Sequence, residues 1–65
     1  MNKVKEIRIK KGISQKQLAD LSGVSRQTIS KIENNNNVVI TNATMKKISI
    51  VLQSTVEEIF FSKNV

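Results

Sequence analysis

Apolar residues recur along this chain at helical spacing rather than in alternation. Val4 and Ile7 stand at i, i+3 among charged neighbours and Gly12 follows, which predicts a short first helix closed at a glycine. Ser14 and Gln17 have the spacing of a capping box, in which the hydroxyl accepts from a first-turn amide and the Gln side chain reaches back to the cap. A second helix should therefore begin near residue 15, with Leu18 and Leu21 facing inward, Ala19 small enough to admit a neighbouring helix, and Gly23 ending it. Ser25 suits the N-cap of a third segment, Arg26 to Asn34, whose Ile29 and Ile32 again stand at i, i+3.

The run Asn34-Asn35-Asn36-Asn37 ends that pattern, because Asn tolerates left-handed backbone and competes for backbone hydrogen bonds. Beyond Val38-Val39-Ile40, Thr41 or Asn42 can cap a fourth helix whose buried stripe would be Met45, Ile48, Val51 and Leu52. Thr55 and Glu58 repeat the capping-box spacing and open a short fifth helix with Val56, Ile59 and Phe60. Val and Ile supply 16 of the 25 apolar residues, a composition that favours strands. The period outweighs that propensity, so the expected fold class is all-α: five short helices in one compact domain over residues 1–65.

Composition narrows the function. The 65 residues contain no Cys and no His, which removes disulfides, thiolate nucleophiles, the usual zinc ligands and the imidazole acid-base group. No enzyme activity, metal or other cofactor is therefore expected, and no small-molecule ligand is evident. A membrane span would need about 20 consecutive apolar residues, and the chain has no such run. The charged start, Met1 to Lys5, has no apolar stretch behind it, so a cytoplasmic location is expected.

The net charge is +6 and it is unevenly placed. Residues 1–37 carry eight Lys and Arg against three acids, whereas residues 38–65 carry three against two. Such a balance suits a polyanion, and its position puts the electrostatics on the first three helices. Lys3, Lys5, Lys10 and Lys11 surround the first helix rather than lining one side of it, which fits solubility and diffuse attraction better than specific contacts. The serines at 14, 25 and 30 have no His to activate them and read better as caps than as nucleophiles. Glu57 and Glu58 are adjacent on a helix and diverge, so they read as first-turn charges that complement the helix dipole.

Two helices joined by a tight turn at Gly23, the second with Arg26, Gln27, Ser30 and Lys31 on its outer face, are what a helix-turn-helix needs to enter a DNA major groove. The segment Ile13-Ser14-Gln15-Lys16-Gln17-Leu18-Ala19, continued by Ser22-Gly23-Val24-Ser25-Arg26-Gln27-Thr28-Ile29-Ser30-Lys31-Ile32-Glu33-Asn34, closely resembles the Cro/phage-repressor-type helix-turn-helix regulators of the XRE family. The likeness extends from about Val4 to Phe60. It implies a five-helix lambda-repressor-like DNA-binding domain, with the helix-turn-helix at about 14–34 and helices four and five at about 41–61 serving core and dimerisation.

That resemblance also implies roles for particular residues. Arg26, Gln27 and Lys31 would contact base edges, chemistry that suits them because Arg forks onto guanine, Gln pairs with adenine, and Lys donates to guanine acceptors. Gln15, in the first turn of the second helix, would bind a backbone phosphate. Lys16, Ser25, Thr28, Ser30, Asn34 and Asn36 are further phosphate candidates. Arg8 and Glu33 match a structural ion pair that ties the first helix to the end of the third. Phe60 and Phe61 are adjacent and cannot both face one core, so Ile59, Phe60 and Phe61 are the candidate dimer interface. The chain departs from the family pattern at Asn35 to Ile40, where the family usually has Gly and Pro in a loop one residue shorter. It departs again at Asn42, where Ile40 should take over the burial of a family Leu, and at Gln53, which must supply the left-handed residue before helix five.

The function implied is sequence-specific binding of double-stranded DNA by a transcriptional regulator, a repressor acting as a homodimer on a near-palindromic operator. A DNA-binding antitoxin or the controller of a restriction-modification operon would use the same fold. From another class, a protein-interaction module could use Ile59, Phe60 and Phe61 while the basic face stays incidental.

Overall fold

The computed structural model describes residues 2–34 and 38–61. Among them are five α-helices and no strand: α1 (Val4–Lys10), α2 (Gln15–Ser22), α3 (Arg26–Asn34), α4 (Asn42–Leu52) and α5 (Val56–Phe60). Local chemistry sets nearly every boundary. The Ser14 hydroxyl accepts from the Gln17 N–H at 3.0 Å while the Ser14 N–H donates to the Gln17 side chain at 2.8 Å, completing the capping box. Ser25 accepts from the Thr28 N–H at 3.1 Å and so caps α3, and Thr41 rather than Asn42 caps α4 by accepting from the Thr44 N–H. Thr55 and Glu58 form the second reciprocal pair.

The far ends are closed by left-handed residues. Lys11 caps α1 and Gly12 follows at φ 72; the Gly12 N–H donates to the Ile9 carbonyl and the Ile13 N–H to the Arg8 carbonyl, the paired bonds of a Schellman turn. Gly23, at φ 76, closes α2 with its N–H on the Ala19 carbonyl. Gln53 does the same for α4 at φ 54, the only described non-glycine residue with positive φ. At α5 the Thr55 N–H, and then the Thr55 hydroxyl, hold the Glu58 carboxyl below its ordinary pKa. Its contribution to stability is present above the ordinary value and is lost as pH falls through the lowered one.

Each helix sends at least one side chain into a single core of Val4, Leu18, Val24, Ile29, Ile32, Ile48, Leu52 and Ile59. Burying each of the larger ones stabilises the fold by about 1.5–3 kcal/mol. α2 packs on α3 and α4, α1 on α3 and α5, and α4 on α5, so α3 is held from two sides. The radius of gyration is 10.6 Å, the compactness expected for a well-packed chain of this length. Ile40 packs against the core while Asn42 is exposed, as the departure from the family pattern suggests.

Three expectations about burial need correction. Leu21 is 66% exposed, because the inward stripe of α2 runs through Gln15, Leu18, Ala19 and Ser22, and position 21 falls well off that face. On α4 the buried side chains are Ile48, Ser49 and Leu52, with Met45 and Val51 only half-buried. Ser49 is tolerated there because its hydroxyl donates to the Lys46 carbonyl at 2.8 Å. Ile59 is only 1% exposed and belongs to the core of a single chain, so it has no surface to lend a partner. Phe60 is half-buried against that core and Phe61 is 61% exposed, the split that adjacency on a helix requires.

Gln53 carries a testable cost. A side chain in left-handed backbone is disfavoured by roughly 1–2 kcal/mol, part of which glycine returns through the entropy of the unfolded chain. Gln53→Gly should therefore stabilise the fold by about 1 kcal/mol, which is a rise of ~4–8 °C in thermal midpoint for a domain this small. Circular dichroism melts of the two chains check it; an unchanged or lowered midpoint removes the strain argument.

Candidate nucleic-acid interface

α3 has two faces with different chemistry. Ile29 and Ile32 are buried, while Gln27, Ser30, Lys31 and Asn34 fall at i, i+3, i+4 and i+7 and make one outward polar stripe. Within it the Asn34 side-chain amide donates to the Ser30 hydroxyl at 3.3 Å. Arg26 is exposed at the first position of α3, off that stripe and beside the turn. Thr28 is half-buried, and its hydroxyl accepts from the Ser25 hydroxyl at 2.8 Å, so both belong first to the cap of α3. Asn36 lies outside the described residues.

The starts of the five helices fall into two electrostatic groups. α1 carries Glu6 in its first turn and α5 carries Glu57 and Glu58, the usual complement to the positive end of a helix dipole. α2, α3 and α4 have no acid in their first turns. Lys16 and Arg26 even put cations there, which opposes the dipole and leaves exposed amides with positive charge facing solvent. Lys16, Asp20, Gly23, Ser25 and Arg26 border one open depression of about 590 Å³ between α2 and the start of α3. Lys16 spans only 3.6 Å to Asp20 within it, an exposed i, i+4 pair that adds little stability.

Beneath this surface lies a hydrogen-bonded cluster. Arg8 donates to Glu33 through Nε at 2.7 Å and Nη2 at 3.1 Å, and its Nη1 donates to the Ile13 carbonyl at 2.9 Å. The Arg8 side chain is 11% exposed and that of Glu33 is 0%. Gln15 joins from the first turn of α2, its Nε2 donating to Glu33 Oε1 at 3.1 Å. One carboxylate thus gathers α1, α2 and α3, and the Gln15 amide is engaged on its inner side.

Sequence reasoning did not single out Asn2. Its Oδ1 accepts from the Val4 N–H at 3.0 Å and its Nδ2 donates to the Ile32 carbonyl at 2.9 Å, tying the start of α1 to the end of α3. The neighbouring Lys3 N–H donates to the Ile59 carbonyl at 2.8 Å. The signal was present in part, since Asn just ahead of a predicted helix is a favoured cap. The bond to Ile32, 30 residues away, has no local trace.

The outward polar stripe on α3, the tight turn at Gly23 and the bracing α2 together define a DNA-binding helix-turn-helix domain. The family model described as helix-turn-helix matches residues 4–59. The chain belongs to this family, the Cro/C1-type helix-turn-helix or XRE family, and its five-helix arrangement fits the lambda-repressor-like fold. No curated protein matches the chain in sequence. Among the described residues no helix is long and apolar enough to cross a membrane.

The cluster under the surface yields a stability prediction. Removing one partner of a buried ion pair leaves the other stranded, at about 3–5 kcal/mol. A domain of this size has a total stability of the same order. Arg8→Ala and Glu33→Ala should each lower the melting temperature sharply or unfold the chain at room temperature. Melts indistinguishable from the parent for both variants would mean that the pair contributes nothing to the fold.

Proposed function

We propose that the chain is a sequence-specific transcriptional regulator that represses by occupying an operator as a homodimer, with α3 in the major groove. The observation that carries this reading is the outward polar face of α3, set beside helix N-termini that lack acids. Arg26, Gln27 and Lys31 are the base-reading residues in this proposal, and all three are exposed. Gln15, Lys16, Ser25, Thr28, Ser30 and Asn34 hold the backbone, a contact type that sets register without carrying sequence information. One short recognition helix reads a half-site. Useful specificity therefore calls for two copies on half-sites roughly 34 Å apart.

Base and phosphate contacts separate by titration. Arg26→Ala should cost ~1–3 kcal/mol on a selected operator and relax preference at one position per half-site. Gln15→Ala should weaken operator and random duplex by a similar factor, with base preference intact and the salt slope nearly unchanged because Gln15 is neutral. Binding curves for parent and both variants on the two duplexes decide it. If Arg26→Ala weakens both duplexes equally while Gln15→Ala alters base preference, the assignment is reversed.

Dimerisation through the carboxyl-terminal side is supported by the exposed Phe61, with Phe60 at its margin. Ile9, Leu21, Val39 and Ile50 are exposed as well, and Phe61 differs from them in carrying an aromatic ring beside the half-buried Phe60. Sedimentation at tens of micromolar should show a dimer in the parent and a monomer in Phe61→Glu. A parent that sediments as a monomer, unchanged by the substitution, counts against this interface.

A further inference from the structure

The inner bond of Gln15 bears on how that residue can meet DNA. The Glu33 side chain is wholly buried and both its oxygens are engaged by Arg8, with Gln15 Nε2 adding a second donor on Oε1 at 3.1 Å. A carboxylate only accepts, so of the two ends of the Gln15 amide only the nitrogen can face it. Turning the amide over would set a carbonyl oxygen against a buried carboxylate oxygen, two acceptors with no proton between them. The second N–H on the same nitrogen diverges from the first, and no other partner engages it among the described residues. An amide held in this way presents a donor to an approaching phosphate; an amide free to turn would present its oxygen, which repels one, for part of the time.

We infer that Glu33 is a positioning residue for DNA binding: its buried carboxylate, braced by Arg8, orients the Gln15 amide so that the remaining N–H donates to a backbone phosphate. The inference rests on the proposal that Gln15 is a phosphate contact. It adds that affinity for the DNA backbone is coupled to an ion pair that itself touches no DNA.

The test is a double-substitution cycle on a random-sequence duplex at fixed salt, by fluorescence anisotropy, below the melting temperature of every variant. Gln15→Met keeps the length of the side chain and removes both donors, and should weaken binding roughly tenfold. Glu33→Gln should weaken binding several-fold in the parent yet not in the Gln15→Met background. The lost negative charge shifts both backgrounds alike, so the difference between them isolates the coupling. Equal effects of Glu33→Gln in the two backgrounds, with Gln15→Met still tenfold weaker, overturn the positioning role alone. If Gln15→Met binds like the parent, the phosphate contact itself is wrong and the inference falls with it.

A second measurement needs no variant that might unfold. In the parent, the two side-chain amide protons of Gln15, resolved by ¹⁵N-edited spectra, should differ: one slow to exchange with solvent and unmoved by duplex, the other shifting downfield on binding. Two protons that exchange equally fast and shift together would show a freely turning amide and overturn the inference.

Discussion

A buried carboxylate is among the most demanding groups a small protein can hold, because desolvating it is unfavourable unless every lone pair finds a donor. Here Glu33 meets that demand with donors from two other helices, Arg8 from α1 and Gln15 from α2. This demand constrains the orientation of α3, since Glu33 is the penultimate residue of that helix and draws its donors from both α1 and α2. Apolar packing alone would not be so exacting. Ile29 and Ile32 could slide against Leu18 and Val4 at modest cost, whereas a bidentate Arg-carboxylate pair fixes both distance and plane. Asn2 adds a second tether at the same end by engaging the Ile32 carbonyl.

With that end pinned, the amino end of α3 is set by its own cap and by the turn. Gly23 supplies the left-handed residue that lets α2 stop and reverse, Val24 buries itself in the core, and Ser25 caps α3. The turn is short, so little freedom remains between a fixed carboxyl end and a capped amino end. Precision at the outward face is thereby obtained from interactions on the inward face. The absence of first-turn acids on α2 and α3, shared by α4, leaves those dipole ends uncompensated, at some cost to helix stability.

Much of this was legible in the sequence, and the reason is chemical locality. Capping boxes at Ser14/Gln17 and Thr55/Glu58, the cap at Ser25 and the glycines at 12 and 23 involve partners within a few residues, so spacing reveals them; spacing left Thr41 and Asn42 open as the cap of α4, and the left-handed Gln53 followed from the family resemblance. The polar stripe of α3 emerges from the helical period once Ile29 and Ile32 are taken as buried. The illegible remainder depends on how helices cross. Leu21 and Leu18 have the same spacing as a buried pair, but only the contact of α2 with both α3 and α4 decides that the stripe is centred nearer Ala19 and Ser22. Ile59 read as surface because it adjoins two aromatics, yet α5 is so short that its single inward position must go to the core. The Gln15–Glu33 bond joins residues 18 apart across a helix crossing and leaves no periodic trace.

These placements divide the labour within α3. Ile29, Ile32 and Glu33 answer to the fold, while Gln27, Lys31 and Asn34 on the opposite side touch nothing that the core requires. Substitutions on the outer side should therefore cost little stability, since exposed positions away from caps and buried partners usually shift it by no more than about 0.5 kcal/mol. Gln15 differs, because its amide is bonded to the buried carboxylate from the first turn of α2. One N–H of that amide helps satisfy the buried carboxylate, and in the proposed complex the other would meet the DNA backbone. A residue in that position has less latitude than Gln27, Lys31 and Asn34, and the constraint comes from the core.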